Sequence, residues 1–373
     1  MIEALINPFY PYLFVFAVSL AAAIGLVLTR SWHGKYSLDN AVGIQKIHQS
    51  PVPRIGGIAI FLGILSAESY LPSDAINILT PMIAVGLFAF SFGLIEDLTK
   101  KVPVVIRLWA TLIPGVVGYI MTGFSLTHFG FDAIDFLLQY SLISVAFTAF
   151  AVCGVTHAIN LVDGFNGLAG WTAIWILAGL GLVAYQCGDL ALASVAWILL
   201  ASTLGFLLVN WPWGKLFLGD GGAYLLGCSI AWLAVVLVAR NPQVSPFTCL
   251  LLCSYPITEA LYSIYRRSLE GLSAGKPDKM HLHQLLATSL IYPKVCGNWG
   301  IIAKNSCAGF VLSLLSIPAI ALAILFNQDQ ALLITCFGCN VLIYTAIYRW
   351  SHHIAMIQNG QGSAMHSNTI SPK

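Results

Sequence analysis

The sequence predicts an all-α fold, a polytopic integral membrane protein with about 11 transmembrane helices. Three observations predict it. Of the 373 residues, 58% are hydrophobic and 9% charged, whereas a soluble domain carries roughly 25% charged residues. Apolar runs of about 17 to 22 residues recur along the whole chain, close to the roughly 20 that cross a bilayer as a helix. Lys and Arg collect in alternate loops between those runs, as the positive-inside rule requires of cytoplasmic loops.

The runs are residues 11–29, 55–71, 79–95, 103–123, 137–155, 168–185, 190–209, 221–239, 246–265, 306–326 and 331–348. Lipid offers backbone groups no partner, so each run must pair its own as a helix. Arg30, Lys35, Lys46 and Arg54 lie in the first loop, Lys100, Lys101 and Arg107 at the third, and Lys215 in the seventh. Arg266, Arg267, Lys276, Lys279, Lys294 and Lys304 lie in or beside the ninth, and Arg349 and Lys373 in the tail. Of 17 basic residues only Arg240 falls on the other side. The N-terminus is therefore expected outside and the C-terminus in the cytoplasm. Residues 1–349 form one transmembrane domain with cytoplasmic polar loops, followed by a cytoplasmic tail, 350–373.

A net charge of +2 is too small for nucleic-acid binding, so the basic residues face anionic headgroups or an anionic substrate. Glu3 is the only charge before the first run and the basic residues follow it, which fits a retained anchor. Nine cysteines, mostly inside runs, imply no disulfide framework, and Cys336 and Cys339 read as packing residues.

In the first cytoplasmic loop Pro51 and Pro53 keep the chain extended, while Lys46, His48 and Arg54 precede a glycine pair, Gly56-Gly57, that opens the second helix. Glu96-Asp97 ends the third run, where the helix dipole disfavours anions. Either Lys100, Lys101 and Arg107 or a bound cation must offset them. The segment from Thr122 to Asp135 is polar and aromatic and is expected along the outer interface. Then comes Asn160-Leu-Val-Asp163-Gly-Phe-Asn166-Gly-Leu, preceded by His157. Its acid and amides suit a phosphate or a hydroxylated ligand, although Asp-Gly and Asn-Gly are also ordinary turn dipeptides.

The seventh loop runs from Asn210 to Phe217-Leu-Gly219-Asp220-Gly221-Gly222. Asp220 is placed to cap the next helix, and three glycines beside it exceed what a cap needs, leaving room for phosphates or a metal-bound substrate. The ninth loop carries Asp278-Lys-Met-His281-Leu-His283-Gln284. Histidines two apart act together only off a regular helix. Their spacing is a weak zinc signature, and hydrogen bonding to a phosphate or a base is the better use. Glu259, inside a run and seven residues before Arg266, is expected to pair with a basic residue on its own face.

Taken together, acids, cations and glycines at helix ends resemble what phosphoryl transfer needs. The five segments Pro53-Arg54-Ile-Gly56-Gly57, Glu96-Asp97 with Arg107, Asn160 to Leu168, Asn210 with Phe217 to Gly222, and Asp278 to His283 resemble the polyprenyl-phosphate N-acetylhexosamine-1-phosphate transferases, glycosyltransferase family 4. The resemblance implies transfer of a sugar-1-phosphate from a UDP-amino sugar to undecaprenyl phosphate, releasing UMP, with Mg2+ or Mn2+, at the cytoplasmic face of the bacterial inner membrane. It implies catalytic roles for Glu96, Asp97, Asp163, Asp220, His281 and His283, with Asp220 and Asp97 as metal ligands. Lys46, Arg54, Asn160, Asn166, Asn210, Phe217 and Asp278 would bind substrate, Phe217 by stacking on uracil. Membrane lipid and a second copy of the chain, in a homodimer, are admissible partners.

Three departures stand out: Glu96 replaces the first acid of an Asp-Asp pair, Asn166 the second acid of the turn, and Gln284 a third histidine. They resemble the branch that initiates O-antigen and other cell-envelope glycans, with an N-acetylhexosamine or N-acetylated 6-deoxyhexosamine donor. The alternatives are the phospho-MurNAc-pentapeptide transferase of peptidoglycan synthesis and a secondary transporter. A transporter would need helix breaks near midplane or inverted repeats, and the sequence shows no pair of either.

Overall fold

The computed structural model describes residues 9–39, 51–271 and 280–367, with side chains to 357. Lys46, His48 and Asp278 lie outside the described residues. The helices are α1 (Tyr10–Leu28), α2 (Arg30–Ser37), α3 (Gly57–Leu65), α4 (Ser73–Thr99), α5 (Val104–Thr122), α6 (Asp132–Leu138), α7 (Ser141–Leu161) and α8 (Leu168–Gln186). They continue as α9 (Leu190–Asn210), α10 (Gly219–Arg240), α11 (Pro246–Leu252), α12 (Ser254–Leu269), α13 (Leu282–Leu286), α14 (Ile301–Ser313), α15 (Ile317–Leu325) and α16 (Gln330–Ser367). A two-residue antiparallel bridge joins β1 (Leu38–Asp39) to β2 (Val52–Pro53), so the chain is extended at Val52–Pro53.

The protein is a multi-pass membrane protein. Among the described residues nine helices are long and apolar enough to cross a membrane, counting Ile301–Leu325 as one, and α11 with α12 makes a bent tenth. The run 55–71 departs from the expected span. Its helix, α3, stops at Leu65 and a 3-10 turn, Glu68–Tyr70, finishes it, leaving it short of membrane length. A second departure is the 79° bend between Leu252 and Ser254. Pro256 has no N–H to donate to the carbonyl of Leu252, so one α-helix cannot run through this point. The run 246–265, expected as one straight span, is therefore broken, and among the described residues it is the one span bent in this way.

Helix α10 is the axis of the fold, with 19 of its 22 residues buried, and it lies against α4 and α7. Apolar helices gain little by leaving lipid for one another, so association depends on close backbone approach at small residues. Gly93 of α4 is one such place. A Cβ there would sit 2.6 Å from the Cα and N of Gly221. At the far end of α10, Arg240 donates to Asp189 (Nε to Oδ2, 2.7 Å), and Asp189 also accepts from the N–H of Leu192 to cap α9. Arg240, the one basic residue off the expected side, is thus paired at the end opposite Asp220. Helix α16 runs unbroken past residue 350, where the sequence suggested a tail. Cys339 on it is exposed and does not pack as expected.

Gly93→Val should lower the apparent melting temperature in detergent, overpacking here costing about 1–3 kcal/mol. Gly25→Ala, with open space around it, should leave melting unchanged; equal effects would count against the α4–α10 contact.

Candidate active site

The N-terminus of α10 presents backbone N–H groups that no helical turn can satisfy. Two carboxylates from other elements take them. Asp97, at the end of α4, accepts from the N–H of Asp220 (2.9 Å) and from that of Gly221 (2.8 Å). Asp163, in the turn after α7, accepts from the N–H of Gly219. The acid that the dipole of α4 disfavours is therefore stabilised by the opposite pole of α10. Of the cations expected to offset Glu96-Asp97, Arg107 pairs with Glu96 (3.9 Å), while Asp97 is met by Arg54 (3.3 Å). Lys100 instead pairs with Asp39 (3.7 Å).

Room for this meeting comes from the glycines, which corrects their expected use. Gly219 has φ +77°, and a Cβ on it would collide with the carbonyl of Arg54 and the carboxylate of Asp97. The space beside Gly219, Gly221 and Gly222 is filled by protein and is not open for phosphate. The amides of Gly56 and Gly57 are likewise taken, by the carbonyls of Phe217 (2.9 Å) and Leu218 (3.2 Å).

Asp220 points into a cluster of cations and amides. Arg54 Nη2 donates to its Oδ1 (2.5 Å) and Arg54 Nε lies 3.3 Å from Asp97. Arg107 Nη1 lies 3.5 Å from Asp220 Oδ2, and Asn160 Nδ2 donates to Oδ1 (3.3 Å). Burial works against the charge of Arg54, but Asp220, Asp97 and Asp163 outweigh it and push its pKa above the usual arginine value. Asp163 behaves oppositely. Burial raises its pKa to about 7 and the charge of Asp220 adds to this, against the pull of Arg54 and the N–H of Gly219.

The two histidines form a second part of the site. His281 is the extended N-cap of α13, so although two apart in sequence the rings stack, 5.2 Å between centroids and 5° between planes. Glu259, fully buried in α12, holds them: Oε1 lies 3.3 Å from His281 Nδ1 and Oε2 3.6 Å from His283 Nδ1, and Oε1 accepts from the N–H of Leu282 (3.0 Å). This corrects the expected partner of Glu259. The partner is the histidine pair from a later loop, and Arg266 pairs with Glu270 (3.2 Å). His283 reaches the turn of Asp163, its ring edge-on to Phe165 at 5.8 Å.

Several other expected residues line the site but are occupied in building it. Asn210 Oδ1 accepts from the N–H of Gly167 (2.7 Å) while its Nδ2 donates to the carbonyl of Leu216 (2.8 Å), joining two loops. Asn166 donates to Ser306 (3.1 Å), and its N–H donates to Asn305 (2.7 Å). Nothing in the sequence pointed to Asn305 or Ser306 of α14. Glu96 accepts from the N–H of Val102 (2.7 Å), fixing the loop into α5. Phe217 lines the cavity, and the N–H of Phe217 donates to the carbonyl of Pro53 (2.8 Å).

A cavity of about 2080 Å3 opens at this cluster, lined by Arg54, Arg107, Asn160, Asp163, Asp220 and His283. It continues between α5, α7, α10 and the bent pair α11–α12 along apolar side chains including Leu112, Phe150, Val235, Cys249 and Ile257. Phe150, Leu108, Leu261 and Ile264 are exposed on its flank, so the groove is open sideways. Among the described residues no three His, Cys, Asp or Glu side chains converge as a metal cage. The carboxylates of Asp163 and Asp220, close enough for one to raise the pKa of the other, are hard oxygen donors. They fit Mg2+, which takes one or two carboxylates with waters and substrate phosphates. Asp97, expected as a ligand, has both oxygens on the amides of α10 and does not line the cavity.

The sequence profile of glycosyl transferase family 4 matches residues 79–238, from α4 through Asp163 to the end of α10. In this region the chain is similar to the polyprenyl-phosphate N-acetylhexosamine-1-phosphate transferases. Family relatives extend the likeness beyond the profile. The chain is 29% identical over 249 residues to the probable undecaprenyl-phosphate N-acetylglucosaminyl 1-phosphate transferase of Bacillus subtilis, covering 65% of this chain and 67% of that one. It is 26% identical over 280 residues to the undecaprenyl-phosphate alpha-N-acetylglucosaminyl 1-phosphate transferase of Yersinia pestis, 74% of this chain and 75% of that one. The enzyme of the same name from Escherichia coli K12 is 26% identical over 282 residues, 72% and 74% of the two chains.

Two outcomes follow. An acid with a raised folded pKa stabilises the fold fully below its unfolded value and loses that contribution as pH rises through the folded one, here about 7. Without substrate, Asp163→Asn should therefore raise the apparent melting temperature at pH 8 by a few degrees and hardly change it at pH 5; a lowered value at pH 8 would contradict this. Glu259→Gln should slow turnover by on the order of 10²-fold through misplaced histidines, although Glu259 does not line the cavity. Wild-type rates for that variant would show that the histidines need no such support.

Proposed function

We propose that the protein transfers an N-acetylhexosamine-1-phosphate, or that of an N-acetylated 6-deoxyhexosamine, from a UDP-sugar to undecaprenyl phosphate, giving undecaprenyl-diphospho-sugar and UMP. One observation carries this. A polar cluster of two arginines and two carboxylates opens directly, within one cavity, into an apolar groove that is accessible from the side. An ionic reactant and a long hydrocarbon chain can meet there without either leaving its preferred medium. The names of the family relatives support the same acceptor and an N-acetylated donor. The bias of Lys and Arg toward this end supports a cytoplasmic face of the bacterial inner membrane. The departures at Glu96, Asn166 and Gln284 support a role in starting O-antigen or another cell-envelope glycan.

The reaction needs little proton transfer. A phosphate monoester has its second pKa near 6, so the acceptor is already largely ionised at neutral pH. Its oxygen attacks the β-phosphorus of the UDP-sugar in line. The β-phosphorus to bridging-oxygen bond breaks, and UMP leaves with the electron pair. The barrier is repulsion between anions, which Arg54 and Arg107 reduce by facing both reactants. Asp220 and Asp163 would hold Mg2+ or Mn2+, which when bound neutralises charge on the diphosphate. Asp97 keeps the first turn of α10, and with it Asp220, in place. His281 and His283 donate to the diphosphate or the sugar.

Purified protein given UDP-N-acetylglucosamine, undecaprenyl phosphate and Mg2+ should release UMP, and omission of the lipid should abolish release. Release independent of the lipid would end the proposal. Asp97→Asn should lose about 10²-fold in rate, as for misplacement of a reacting group, and raising the pH should not restore it. Recovery at high pH would instead make Asp97 a general base.

A further inference from the structure

The cavity changes character at one level. Along α7 its wall runs from Phe147 and Phe150 past Cys153 and Gly154 to His157 and then Asn160, so His157 is the first basic side chain met from the apolar end. On α5, opposite, Arg107 is followed by Leu108 and Leu112. His157 and Arg107 thus mark a neck between the apolar groove and the cluster around Asp220. A lipid phosphate with its chain in the groove must place its anionic end at this neck.

His157 is held ready for such an anion. Its Nε2 lies 2.9 Å from Thr111 Oγ1, a fully buried hydroxyl that also lies 3.0 Å and 3.1 Å from the carbonyls of Leu108 and Arg107 and 3.3 Å from Cys153 Sγ. Where Thr111 donates to Nε2, the neutral ring carries its proton on Nδ1, the nitrogen left to donate to an anion; where Thr111 accepts from Nε2–H, Nδ1 donates only once the ring is doubly protonated. Nδ1 has no protein partner among the described residues and is not sealed from the cavity. The ring packs edge-on to Tyr224 at 5.6 Å. Tyr224, itself buried, bonds Arg107 through its hydroxyl. One buried array therefore sets the positions of both Arg107 and the His157 ring at the neck.

Building on the transferase function proposed above, we propose that His157 binds the phosphate of the polyprenyl acceptor together with Arg107, leaving Arg54 and the carboxylates to the donor. Thr111 is its positioning residue.

The experiment is steady-state kinetics of full-length protein in nanodiscs, varying undecaprenyl phosphate and UDP-N-acetylglucosamine separately. His157→Phe should raise the KM for the acceptor about tenfold or more, the loss expected for a hydrogen bond to a charged group. The KM for the UDP-sugar should stay within about twofold, since uniform binding to the donor is untouched. His157→Gln, which keeps a polar donor, should recover most of the loss, and Thr111→Val should raise the acceptor KM a few-fold. An unchanged acceptor KM in His157→Phe overturns the assignment, as do equal shifts in both KM values. Should His157→Phe not fold, an unchanged acceptor KM in Thr111→Val overturns it. Wild-type protein that releases no UMP with the lipid sinks the transferase function itself, which separates the two failures.

Discussion

The N-terminal turn of α10, with its amides bonded to carboxylates from α4 and from the turn after α7, is the contact on which the site depends. Opposite helix poles meet there. The C-terminal end of α4 would repel Asp97 if left alone, and the amide-rich start of α10 would lack acceptors. Each supplies what the other lacks, in a region where unsatisfied polar groups are costly. The consequence is chemical. Asp97 spends both oxygens on the backbone, and Asp220 is the carboxylate left facing the cavity.

This arrangement accounts for an unusual density of glycine. Gly219, Gly221 and Gly222 let α3, α4 and the chain at Arg54 approach one backbone turn. In a membrane, where burial of apolar surface drives helix association weakly, such approach also supplies packing. The same residues thus serve assembly and site geometry. They fill the space that the sequence suggested for phosphate, and recognition passes to side chains: Arg54, Arg107, Asn160 and the histidines.

A second support lies in α12. Glu259 is fully buried among apolar helices yet holds two stacked imidazoles at the cavity edge. The bend before α12 matters for the other substrate. It separates α11 from α12 and leaves an apolar groove open to lipid beside the polar cluster.

What the sequence by itself determined was the membrane class, the helical segments and the set of polar loops that share one end. These follow from hydropathy, charge bias and short motifs, all of which are local along the chain. Asp163, Asp220, Arg54 and the histidines were legible because ionisable residues beside apolar runs are rare enough to notice. Only the tertiary structure decided which of them face the cavity. It turned Asp97 inward, gave Asn210 to two backbone groups and paired Glu259 with His281 and His283, 22 and 24 residues further on. It also broke the span at Pro256 and kept α3 short. Hydrogen-bond partners and burial belong to pairs of residues distant in sequence, so no local pattern of residue types specifies them.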